Sequence, residues 1–167
     1  MKRLDHILDK FEEYACFFTM LAMAVAVLLQ IINRSFLGRP FPWGEELARY
    51  MMIWATFIGV SAGVKIGSHI GVDALTNRLP ERKKLYFTIV TDLMLLVFYI
   101  AVTFLSVQIV IRIRSTNQLS PALRMPMWYA YLAMPVGFSL SCLRQLQRLL
   151  QKAARLFKSQ DKEMEVL

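Results

Sequence analysis

Four places in this sequence hold side chains whose types and spacing could do chemistry. Trp43-Gly44-Glu45-Glu46-Leu47-Ala48-Arg49 gathers two carboxylates and a guanidinium within two helical turns. Glu45 and Arg49 are four residues apart with the carboxylate first, the favourable order for a pair on one helix face. Carboxylates there also suit the positive end of a helix. The group reads either as an ion or proton site, the default for ionisable residues at membrane depth, or as a self-neutralised helix start that fixes packing against a partner. The second reading is the plainer one. His69-Ile70-Gly71-Val72-Asp73 sets an imidazole and a carboxylate at the same spacing. With no nucleophile and no further metal ligands at set intervals, this is an orienting pair in a short connection. Asp92 stands alone inside an apolar run, where Thr88, Thr91 or a basic group on a partner would have to satisfy it. Leu119-Ser120-Pro121-Ala122-Leu123-Arg124-Met125-Pro126-Met127-Trp128-Tyr129 joins two prolines to an aromatic cluster, with Arg112 and Arg114 just before it.

No glycine-rich phosphate loop, metal-ligand cluster or nucleophile–base arrangement occurs. An enzyme is therefore not expected, and neither is a cofactor or metal in this chain. Cys16 and Cys142 both fall in apolar runs and read as small buried hydrophobes.

The elements that must carry these groups follow from composition. Hydrophobic residues make up 56%, charged residues 19%, and the mean hydropathy is +0.43. Soluble domains hold about 45–50% apolar and about 25% charged residues. Uncharged runs of 20, 15, 19 and 19 residues separate Glu13 from Arg34, Arg49 from Lys65, Asp92 from Arg112 and Arg124 from Arg144. A bilayer crossing takes roughly 20 apolar residues. This excludes an ordinary cytosolic enzyme, a disordered chain and a disulfide-stapled domain. It also argues against nucleic-acid binding, because the basic residues flank the apolar runs. The expected fold is an all-α integral membrane protein, one membrane domain over 1–167 with four transmembrane helices at about 14–33, 42–64, 81–111 and 125–143. The second uncharged run is too short alone, so its helix must begin near Pro42, a residue suited to a first turn. Pro135 should kink the fourth span. The N-terminal run reads as a retained anchor rather than a cleaved signal.

Fourteen Lys and Arg fall on the side of the termini and six on the other, so both termini are expected in the cytoplasm. Trp128, Tyr129 and Tyr131 suit an aromatic belt on the outer side. The N-terminal segment is amphipathic, and so is a basic tail over 144–158. In that tail Leu143, Leu146, Leu149, Leu150, Ala153, Leu156 and Phe157 make a stripe from which Arg144, Arg148, Lys152, Arg155 and Lys158 face away. Such a helix either lies on the anionic leaflet or extends the fourth span against another subunit.

Taken in order, these segments resemble the small (Q, or DctQ-type) membrane subunit of tripartite ATP-independent periplasmic (TRAP) transporters. The resemblance rests on Phe41-Pro42-Trp43-Gly44-Glu45-Glu46-Leu47-Ala48-Arg49, on His69-Ile70, Val72-Asp73 and Leu79-Pro80, and on Ser120-Pro121-Ala122-Leu123 with Pro126-Met127. It covers nearly the whole chain, and Asp92 is not part of the pattern. It implies a multi-pass protein of the bacterial inner membrane, working with a separate large membrane subunit that carries the substrate and sodium sites. A periplasmic substrate-binding protein would deliver an organic acid of the C4-dicarboxylate or sialic acid type. Trp43, Glu45, Glu46, Arg49, His69 and Asp73 would then order partner-facing structure, and Arg39, Arg112, Arg114 and Arg124 would help dock the binding protein. The rival expectation is a stand-alone four-helix, proton-coupled antiporter or exporter that uses Glu45, Glu46 or Asp92.

Overall fold

Long uncharged stretches bounded by charges become long helices, because only a helix satisfies its own backbone in lipid. A computed structural model describes residues 2–38, 42–66 and 81–164. Helix α1 runs Lys2–Leu37 and stops at Gly38, whose φ of 61° is the left-handed cap conformation. Helix α2, Pro42–Ile66, opens on proline with Glu45 in its first turn. Helix α3, Glu81–Ser115, ends with Arg112 and Arg114 in its last turn, where cations suit the helix dipole.

The chain then turns through a tight loop rather than entering a helix directly. Leu119 and Pro126 form an isolated antiparallel bridge, and the Ser120 N–H donates to the Met125 carbonyl at 2.8 Å. Asn117 and Arg124 take φ of 48° and 53° to make the reversals. One turn of helix, α4 (Trp128–Tyr131), leads through Leu132 into α5 (Ala133–Met164). Pro135 explains the interruption. The Leu132 N–H still reaches Trp128 O at 3.0 Å and the Val136 N–H reaches Leu132 O at 3.2 Å. Pro135 has no N–H to give to Tyr131, four residues earlier.

Three of the described helices hold a stretch long and apolar enough to cross a bilayer: Leu8–Phe36, Pro42–Val64 and Tyr86–Ser115. At 1.5 Å per residue the 23 residues of Pro42–Val64 reach about 34 Å. That matches a hydrocarbon core of about 30 Å. The uncharged part of α5 ends at Arg144, which leaves it outside that group.

The helices form a row. α2 packs against α1 on one side and α5 on the other, and α3 packs on the far side of α5. Among the described residues α1 and α3 do not meet. The seam between α2 and α5 is narrow because small residues face it. Ala133, Gly137 and Ser141 recur every four residues on α5, and Ala133 and Ser141 are fully buried. Small residues at this spacing let helix backbones approach in lipid. Phe138 sets its ring edge-on to Phe57 of α2 at 5.5 Å and lies 6.3 Å from Tyr99 of α3.

Burial is inverted relative to a water-soluble protein. Glu12, Glu46, Ser61, Asp92, Ser141, Arg144 and Gln145 are buried, while Phe18, Leu28, Phe36, Met94 and Phe104 are exposed. That is the pattern expected where the solvent is hydrocarbon.

Candidate functional site

Two polar clusters stand toward opposite ends of the helices. At one end Glu46, buried on α2, reaches the loop that follows α3. Its Oε2 accepts the backbone N–H groups of Ala122 at 2.8 Å and Leu123 at 2.9 Å, and Oε1 accepts the Tyr50 hydroxyl. A loop of 12 residues between α3 and α4 would otherwise leave those N–H groups without helical partners. Glu46 thus pins the segment Ser120-Pro121-Ala122-Leu123. Replacing Glu46 with alanine should strand two N–H groups at a cost of about 1–3 kcal/mol. Amide hydrogen exchange over 119–125 should then quicken roughly tenfold or more. Unchanged exchange there would show that the loop holds its own shape.

Glu45 and Arg49 lie beside this clamp and pair at 3.2 Å, with both side chains more than 60% exposed. An exposed pair of this kind contributes about 0.3–0.5 kcal/mol. Nearby, Trp128 and Tyr129 stack at 3.9 Å and the Arg114 guanidinium sits 5.5 Å from the Trp128 ring centre.

At the other end α5 carries a ladder of cations at i, i+4 and i+8, each directed to a different helix. Arg144 reaches α1, with its Nη2 2.6 Å from Asp9 Oδ1 and 3.0 Å from Glu12 Oε2, and its Nε 3.3 Å from Glu12 Oε1. Ser61 of α2 donates to the same Glu12 oxygen at 2.6 Å. Burial works against the charge on Arg144. Glu12 and Asp9 together give the buried guanidinium two carboxylates to offset that cost. Arg148 reaches α2, donating to the Val64 carbonyl at 2.7 Å, one of the last carbonyls that helix α2 leaves open. Lys152 reaches α3 and donates to Asp92. Gln145 adds two bonds to Asp92, to its backbone carbonyl at 3.0 Å and to Oδ1 at 3.1 Å.

Comparison with known proteins identifies this arrangement. Residues 23–155 match the family model for tripartite ATP-independent periplasmic transporters, DctQ component. The chain belongs to the DctQ family. It is 35% identical over 63% of its length to the C4-dicarboxylate TRAP transporter small permease protein DctQ of Rhodobacter capsulatus, covering 46% of that protein. It is 36% identical over 64% of its length to the isethionate TRAP transporter permease protein DctMQ of Oleidesulfovibrio alaskensis, covering 17% of that protein. It is 27% identical over 89% of its length to the sialic acid TRAP transporter small permease protein SiaQ of Vibrio cholerae, covering 85%. The chain therefore spans about half the length of the first of these relatives and a smaller part of the second.

Within this DctQ-family chain, the structure brings Glu46 together with the Ser-Pro-Ala-Leu segment 76 residues away. It pairs Glu45 with Arg49 and leaves Trp43 partly exposed beside them. Arg112 and Arg114 stand in the last turn of α3, and Arg124 in the loop beyond; all three are exposed. Arg39, His69 and Asp73 lie outside the described residues. Cys16 and Cys142 are free and half-buried.

Two readings of the sequence gain detail. Asp92 finds Gln145 and Lys152 of this same chain as partners, and Thr91 donates to Phe87 O rather than to Asp92. The basic tail continues α5 as one helix to Met164, and its cations face away from the leucine stripe, as read. Arg144, Arg148 and Lys152 turn into the row, and Leu143, Leu146 and Leu150 are exposed, each by 44% or more. The reason is the solvent: in lipid the acids of α1 and α3 must be paired inside, and leucines cost nothing outside. The signal was available in the four-residue repeat of cations and in the acids at the edges of uncharged runs, Glu12 next to Glu13 and Asp92.

Proposed function

We propose that this chain is the small scaffold subunit of a sodium-driven TRAP transporter in the bacterial inner membrane, importing an organic acid of the C4-dicarboxylate or sialic acid type. Its partners on this reading are a separate large membrane subunit, which carries the substrate and sodium sites, and a periplasmic binding protein. The observation that carries it is the row: among the described residues the long helices pack side by side, and the buried acids Glu12, Glu46 and Asp92 are each engaged in holding helices or a loop together. Groups so committed are poorly placed to follow a moving ion. The names of relatives add support, since they include small permease proteins for C4-dicarboxylates and sialic acid.

On this reading α4 and α5 together make a fourth crossing, with the kink at Leu132 in the bilayer and both termini in the cytoplasm, as the excess of basic residues on that side favours. The Glu46 clamp and the Trp128–Tyr129 stack then stand on the periplasmic side. Arg112, Arg114 and Arg124, together with Arg39, present positive charge to the binding protein.

The test is uptake of a C4-dicarboxylate and of sialic acid into proteoliposomes under an inward sodium gradient. The chain alone should transport neither. Uptake should require the large subunit that co-purifies with the tagged chain and the binding protein. Solute movement by the chain alone, driven by a proton gradient, would establish the antiporter instead. In the complete system, Arg114→Glu with Arg124→Glu should lower the initial rate at limiting binding protein about tenfold at low salt, with the deficit shrinking as salt rises. A salt-independent rate equal to that of the parent would remove these arginines from docking.

A further inference from the structure

The clamp end holds a cleft of about 550 Å³ between the first turns of α2, the pinned loop and the α4–α5 segment. This is within the roughly 300–1,000 Å³ of sites that hold small molecules. Its walls are apolar, with Ile53 and Phe57 on α2 and Met134 on α5, and its polar rim is Glu45, Glu46 and Arg49. α2 is one of the apolar helices long enough to cross the bilayer, and the cleft opens beside its first turns, so it falls where acyl chains meet headgroups.

We propose that this cleft binds a single zwitterionic phospholipid with a primary-amine headgroup, one acyl chain lying between Ile53, Phe57 and Met134. The charge pattern of the rim selects that class. Glu46 is already committed to three donors. What remains is the exposed dipole of Glu45 and Arg49, a carboxylate and a guanidinium 3.2 Å apart. An ammonium donating to Glu45 and a phosphate accepting from Arg49 match both ends at once and keep each group paired. An anionic headgroup meets a rim whose formal charge, counting Glu45, Glu46 and Arg49, is one negative. A choline headgroup has no N–H to donate. The proposal does not depend on the transport reading, because it rests on the geometry of this chain's own helices.

The experiment uses the full chain solubilised from membranes and exchanged into nanodiscs of phosphatidylethanolamine, phosphatidylglycerol and phosphatidylcholine in equal parts. Mass spectrometry of the protein released into mild detergent then counts retained lipid. One phosphatidylethanolamine per chain should be retained, in roughly tenfold preference over the other two. Glu45→Gln with Arg49→Gln should abolish the preference while leaving retained lipid of mixed class. Ile53→Trp, which fills the cleft, should eject the lipid, and Met134→Phe should do so in part if the first variant folds poorly. Equal retention of all three lipids by the parent chain overturns the proposal. So does phosphatidylethanolamine retained undiminished in the filled variants, and so does a cross-linker at position 53 that captures a second protein chain in native membranes instead of lipid.

Discussion

Replacing Arg144 with alanine should destabilise the folded chain by about 3–5 kcal/mol, the cost of leaving a buried ion pair with one member. Glu12 is only 3% exposed, and three of its contacts run to Arg144 or Ser61. Without the guanidinium, its carboxylate keeps a serine hydroxyl as its remaining partner among the described residues. Asp9 loses the same partner. The variant should accumulate poorly in membranes and unfold well below the parent temperature in a fixed detergent, followed by tryptophan fluorescence. Removing both charges, as Glu12→Gln with Arg144→Gln, should recover a large part of the loss, because neutral amides can bond to one another without a stranded ion. Arg144→Lys should fall between, since an ammonium cannot span two carboxylates in the forked geometry that the guanidinium uses. A single alanine variant that unfolds with the parent, or a double variant no better than the single, would show that the ion pair does not hold α1.

Gly137→Ala should be the second most damaging change, at about 1–3 kcal/mol, for a reason unrelated to charge. A Cβ on Gly137 would stand 2.4 Å from the Phe57 carbonyl oxygen and 2.7 Å from both its carbonyl carbon and its Cβ. No rotamer change moves those atoms, so α2 and α5 must separate, opening the seam at the centre of the row. Gly137→Val should be worse, and Phe57→Ala should not rescue either, because the obstructing oxygen belongs to the main chain. Gly59→Ala supplies the control. A Cβ there meets nothing within 4 Å, and the exchange should leave stability unchanged or raise it by about 0.5–1 kcal/mol. Thermal unfolding of the three variants in one detergent separates close approach from a general dislike of bulk in helices. Equal behaviour of Gly59→Ala and Gly137→Ala would refute the close-approach account.

Contacts near in sequence were legible, and contacts far in sequence were not. The all-helical class follows from the uncharged runs alone. The start of α2 at Pro42 and the Glu45–Arg49 pair follow from proline chemistry and the 3.6-residue period. The break before α5 follows from Pro135. Glu46 was among the residues singled out, but its main-chain partners at Ala122 and Leu123 could not be read, because no local rule links α2 to a loop beyond α3. The sequence separates the cations of α5 from its leucine stripe but does not say which of the two faces turns into the row. A helix whose polar stripe holds Arg144, Arg148 and Lys152 turns that stripe to whichever side offers counter-charge, and Glu12 and Asp92 offer it inside.

Arg144 also ties together two helices whose backbones do not pack on each other, α5 and α1, across the face of α2. In a palisade such a tie is a diagonal brace. It resists sliding of one post past the next. The brace sits near the start of α1, whereas the opposite tip, where Phe36 is 85% exposed, leans on α2 without a cross-tie among the described residues. A wall built this way is stiff along its foot and compliant along its crest. A load that swings against it would be absorbed by the upper half of α1 while the lower end keeps its register.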